Sequence, residues 1–237
     1  MQSNVQRPSW AAGDLLRGDP MRVGAWTESS DARAVGRCVV LILAGAGCYG
    51  AAMGWWRAPE QGLFTAIKFP LIVLLTALGN SLLNAMLAPL LGLNIPFRRS
   101  FNAILMSFAI AALILGAFSP LAAFMVWNAP PLEAARSGMT YSLIMLGHVI
   151  VIAFSGTAAN LRLWSLLRAW SGGRPVANRV LVAWLAGNLF LGSQLSWIFR
   201  PFIGAPGLPL QFLREHPLEG NFYEAVFRSV TRLFTTN

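Results

Sequence analysis

The polar residues standing inside long apolar runs are the ones whose types and spacing could do chemistry. Thr76, Asn80 and Asn84 recur at i, i+4 and i+8, so on a helix they form one narrow stripe with Ser81 beside it. His148 and Ser155 share a face of another run, and Asn188 and Ser196 share a stripe with Gly192 on a third, with Gln194 off it. Such side chains hydrogen-bond between helices in lipid, each pair contributing about 1 kcal/mol or less. The same groups could instead line a path for a solute, so Thr76, Asn80, Asn84, His148 and Gln194 are candidates for either role. A proton- or ion-coupled carrier calls for a buried carboxylate or arginine, and these runs contain neither.

Other chemistry finds less material. An intramembrane hydrolase needs a nucleophile with a base in reach, and Gly79-Asn80-Ser81 with His148 are the only constituents to hand. A metal site is not expected. His148 falls inside a run, His216 falls in a loop, and Cys38 and Cys48 share one run. Those two cysteines are about 15 Å apart on a helix, too far to bridge. No catalytic residue and no cofactor is expected.

The elements that position these residues follow from composition. Of 237 residues, 56% are hydrophobic and 11% charged, well below the charged share of a soluble domain. Five apolar segments, at 38–56, 69–93, 101–127, 139–161 and 180–199, each approach or exceed the ~20 residues a helix needs to cross the hydrocarbon layer. Inside lipid the backbone satisfies its own hydrogen bonds, so each is a helix. Pro70 is read as the first turn of the second helix, with Lys68 in the loop before it, and Pro120 as a kink or early end of the third.

The expected fold is all-α: a polytopic bundle of five transmembrane helices over 36–200, preceded by a flexible tail over 1–35 and followed by a loop and amphipathic helix over 201–237. The formal charge of +9 rests on arginines spread along the edges of the apolar runs, with Lys68 the single lysine. That pattern points to lipid headgroups and argues against nucleic acid. Arg98, Arg99, Arg162, Arg168, Arg174 and Arg179 outnumber Arg57, Lys68 and Arg136 in the alternate loops. A cytoplasmic N-terminus and an extracytoplasmic C-terminus are therefore expected, in the inner membrane of a bacterium. Trp55, Trp56, Trp127 and Trp197 fall together at the outer interface.

Trp197 and Arg200 close the fifth helix at that level, where arginine keeps its stem in lipid and its charge in water, or binds a lipid headgroup. Pro201 ends the helix, and Gly204, Pro206, Gly207 and Pro209 prevent its continuation. At 219–234, Asn221 and Glu224 form a near capping box ahead of an amphipathic stretch too short and too charged to span. Gly50 and Gly54 form a GxxxG ridge extended by Ala46, which brings a neighbouring helix close, in the same chain or in another. Arg33, Arg37, the run VVLILAGAG and Cys48 would look like a lipoprotein signal if translation began at Met21. Gly45 stands where such a signal wants leucine, which favours a span over lipidation of Cys48.

The segment GSQLSWIFRPFIGAPGLP followed by EGNFYEAVFR resembles the ending shared by a family of bacterial multipass membrane proteins of unestablished activity. AIKFPLIVLLTAL, around Lys68 and Pro70, is similar to the same family. The resemblance spans most of 37–235, implies a polytopic helical membrane protein, and brings no catalytic or binding residue with it. In its five helices alone the chain also looks like Yip-type membrane proteins, which is a likeness of fold. The expected function is a non-enzymatic structural, accessory or anchoring component of a membrane assembly. Its partners would be the lipid bilayer and other membrane subunits, with an oligomer open. The rival is a small channel or carrier using the Asn80/Asn84 stripe, with His148 and Gln194 opposite.

Overall fold

The computed structural model describes residues 32–130, 139–204 and 208–224. Five helices follow one another: α1 (Ala32–Trp55), α2 (Pro59–Leu90), α3 (Phe97–Trp127), α4 (Met139–Ser171) and α5 (Arg174–Ile198). No strand occurs among the described residues. Each helix contains a stretch long and apolar enough to cross a membrane. The surface agrees, since Met86, Leu90, Trp127 and Leu189 are at least 70% exposed. Side chains of that kind on every helix belong against hydrocarbon rather than water.

The helices run alternately up and down. Each packs on two neighbours in the cyclic order α1, α2, α5, α4, α3, and α2 also touches α3 across the ring. The upper end is taken as the one where α1, α3 and α5 finish and α2 and α4 begin. Small residues let α1 approach both α2 and α3 closely, and a Cβ on Gly45 would collide with Ala112 O of α3. A Cβ on Gly50 would lie 2.6 Å from Thr65 O, and one on Gly54 would collide with Gln61 O. The Gly50/Gly54 ridge therefore packs on α2 of the same chain, backbone against backbone. Between α4 and α5 the chain turns within Gly172 and Gly173, with Gly172 at a φ of +65°, the left-handed conformation that commonly ends a helix.

Several expected boundaries shift. At 32 residues and about 1.5 Å per residue, α2 is about 48 Å long and overhangs a ~30 Å hydrocarbon core. It begins at Pro59, so Lys68 is inside the helix and not in a loop, and Pro70 is an interior proline and not a first-turn one. A bundle tolerates such a proline because neighbouring groups take up the freed backbone acceptor. Pro120 does not end α3, which continues to Trp127. Arg162 and Arg168 belong to α4 and Arg174 and Arg179 to α5, so no long basic loop separates those helices. The expected tail over 1–35 lies almost wholly outside the described residues. So does most of the 219–234 stretch, although Glu224 N does donate to Asn221 Oδ1 at 2.9 Å, as the capping pattern requires.

Candidate functional site at the mouth of the bundle

The buried face of α2 is a polar stripe running nearly its whole length. Gln61, Thr65, Lys68, Thr76, Asn80 and Asn84 all lie on it, with Ile72 between the upper and lower groups. The upper group was missed from sequence. Its i, i+4, i+7 spacing continues the phase of Thr76, Asn80 and Asn84, and that continuation is the signal that could have found it.

What the upper group holds is the backbone of the chain beyond α5. The helix stops at Ile198, and Arg200 turns back onto it, donating from Nη1 to Trp197 O at 2.7 Å and stacking 3.8 Å from the Trp197 ring centroid. The same guanidinium donates to Pro217 O and Glu219 O, both at 3.3 Å, and Trp197 Nε1 donates to Glu219 O at 2.9 Å. Trp197 and Arg200 thus organise the chain above the helix end. Burial first, and then the like charge of Arg214, lower the pKa of Arg200 from its ordinary value, and Glu219 partly restores it.

From Arg200 the chain enters the bundle mouth. Pro201, Ile203 and Gly204 are buried, and Phe202 and Ile203 pack with Tyr49, Met53, Leu115 and Ile144 at the upper end. The carbonyls exposed by this descent are met by α2. Gln61 Nε2 donates to Pro201 O at 2.9 Å and Phe202 O at 2.8 Å, Thr65 Oγ1 to Phe202 O at 2.7 Å, and Lys68 Nζ to Pro201 O at 2.9 Å. Lys68 is fully buried beneath an aromatic lid, with Nζ 4.8 Å from the Phe212 centroid and 5.9 Å from that of Phe64. Aromatic faces and a carbonyl offset part of the cost of burying an ammonium, and that cost makes Lys68 a candidate functional residue. Arg57 fastens the next stretch, donating to Leu208 O at 3.0 Å while its stem packs against Gly204.

In the lower group Thr76 and Asn80 face α5. Asn80 Nδ2 donates to Asn188 Oδ1 at 2.6 Å and to Trp184 O at 3.3 Å, which ties α2 to α5, and Thr76 faces Gly192. Several buried atoms nevertheless have no hydrogen-bond partner among the described residues: Thr76 Oγ1, Asn80 Oδ1, both ends of the Asn84 amide and Trp184 Nε1. His148 does not face this stripe. It is buried on α4 against α1, sharing a 2.9 Å hydrogen bond between Nδ1 and the Tyr49 hydroxyl, and its ring meets Tyr49 edge-on. Gln194 is half-buried on α5. Cys38 is buried and Cys48 faces outward, neither in a disulfide.

No protein-family model, curated protein or solved structure matches the chain. Its class rests on its own features: five apolar helices make it a multipass helical membrane protein. AIKFP on α2 and FRPFIG beyond α5 are the two sides of the bundle mouth.

Proposed function

We propose that the chain is a non-enzymatic structural or accessory component of a membrane assembly in the bacterial inner membrane, with its N-terminus in the cytoplasm and the bundle mouth on the extracytoplasmic side. One observation carries this reading: the side-chain donors Gln61, Thr65 and Lys68 are all committed to the chain's own backbone at Pro201 and Phe202. A segment fixed so firmly over the bundle is suited to presenting a surface. Leu208, Leu218 and Tyr223 are exposed on it at 47%, 77% and 47%. The experiment is mild-detergent purification from native membranes with photo-crosslinkers placed at Leu218 and Tyr223. Recovery of one defined membrane subunit, lost when the crosslinker moves to lipid-facing Leu189, supports the reading. Monomers with no crosslinked product oppose it.

A second reading draws on the orphaned atoms of Thr76, Asn80, Asn84 and Trp184, because buried polar groups without partners call for water or a solute. It makes the α2–α5 stripe a path for a small neutral molecule. Flux into vesicles, compared between the parent and Asn80→Leu and Asn84→Leu, separates the two.

A further inference from the structure

The α2 stripe meets α5 at regular intervals. A Cβ on Gly192 would lie 3.8 Å from Thr76 Oγ1, and one turn further along α2 Asn80 Nδ2 donates to Asn188 Oδ1 at 2.6 Å. The two helices are antiparallel, so the pairing of 76 with 192 and of 80 with 188 continues to 84 and 184, and Asn84 stands opposite Trp184. Packing agrees, because Ala77 and Ala88, on either side of Asn84 along the same face of α2, share one buried cluster with Trp184.

Along this seam Thr76 Oγ1, Asn80 Oδ1, both ends of the Asn84 amide and Trp184 Nε1 have no hydrogen-bond partner among the described residues. Thr76 is 3% exposed and the other three residues 0%. Asn80 Oδ1 faces the α5 backbone, where a Cβ on Gly187 would collide with it. Apolar side chains close the seam at both ends, Ile72 above and Ala88, Leu93, Ala177 and Val180 below. Buried amides and indoles are hydrogen-bonded in native proteins, and where the protein supplies no partner an ordered water does.

Spacing and chemistry both suit water. Residues four apart on a helix hold their Cβ atoms about 5–6 Å apart. Two hydrogen bonds of about 2.8 Å that meet at one oxygen span the same distance. The demand is also mixed: Asn80 Oδ1 needs a donor, Trp184 Nε1 needs an acceptor, and the Asn84 amide needs both. An ion of either sign would satisfy one half of that set and oppose the other.

We propose that the α2–α5 seam is a binding site for water. One molecule bridges Thr76 Oγ1 and Asn80 Oδ1, and a second bridges Asn80 Oδ1 and the Asn84 amide while accepting from Trp184 Nε1. The proposal rests on the same unpartnered atoms as the solute reading, and it does not require that anything cross the membrane.

The full-length chain in neutral detergent is given a brief X-ray pulse, which converts bound water to hydroxyl radical where it sits, and oxidised side chains are read by mass spectrometry. Trp184 is expected to be oxidised although fully buried, whereas Met106, equally buried in an apolar cluster of α1, α3 and α4, is not. Trp127, 70% exposed, reports that the dose was sufficient. Asn84→Leu removes the amide that holds the second water, so oxidation of Trp184 should fall severalfold while Trp127 and Met106 stay as in the parent. A parent protein whose Trp184 is as unreactive as Met106 overturns the proposal without recourse to any variant. So does an Asn84→Leu protein that labels Trp184 like the parent. Background flux in the vesicle assay ends the solute reading and leaves this one standing.

Discussion

Lys68 Nζ donates a 2.9 Å hydrogen bond to Pro201 O across 133 positions of sequence, and Gln61 Nε2 donates to the same oxygen. The mouth of the bundle is built around that shared carbonyl. Gln61→Leu removes the donor common to Pro201 O and Phe202 O and leaves each with one. The expected cost is about 1–3 kcal/mol, local to this segment. Hydrogen exchange checks it: amides over 199–213 should exchange about tenfold faster or more, while the middle of α3 is unchanged. Uniform acceleration throughout the chain would instead mean a global loss of stability.

Gly50 tests the α1–α2 contact. Gly50→Leu forces a side chain where a Cβ alone meets Thr65 O at 2.6 Å, whereas nothing lies within 4 Å of a Cβ on Gly36. Overpacking of that kind costs about 1–3 kcal/mol or more. Thermal unfolding in detergent should drop by several degrees for Gly50→Leu and stay put for Gly36→Ala.

Asn80 and Asn188 should behave as one unit. A double-mutant cycle with Asn80→Leu and Asn188→Leu is expected to give a coupling of about 0.6–1 kcal/mol, the usual scale for a polar pair between helices in lipid. Zero coupling would remove the packing role of the stripe and favour the solute path.

The cysteines report the rotation of α1. Cys38 is buried and Cys48 faces outward beside an apolar groove of about 280 Å³ that is also lined by Trp55, Pro120 and Trp127. Maleimide in detergent should add one label, at Cys48. A label at Cys38 instead would mean that α1 presents a different face to α3.

The spans were legible because hydropathy belongs to each run by itself, and 38–56 or 101–127 declares its helix without reference to any other part of the chain. The mouth was not legible, for two physical reasons. Taking Pro70 as a helix start cuts the α2 stripe at Thr76, although Gln61, Thr65 and Lys68 continue its phase. The acceptors on the other side are backbone carbonyls of Pro201 and Phe202, and a carbonyl has no sequence signature. Trp197 and Arg200 stand out in the sequence because an aromatic and a cation at a helix end are conspicuous. Arg200 reaching down to Trp197 O and across to Glu219 O depends on a loop path that no local pattern encodes.

The return of the chain beyond α5 into the bundle mouth is tested most directly by cross-linking in native membranes. With Cys38 and Cys48 replaced by alanine, a short bifunctional thiol reagent is applied to Thr65→Cys/Phe202→Cys and to Thr65→Cys/Arg179→Cys. Thr65 Oγ1 lies 2.7 Å from Phe202 O, whereas Arg179 is at the opposite end of the bundle. A fast intramolecular link in the first pair and none in the second is the predicted result. Equal yields, or no link between positions 65 and 202, would contradict it.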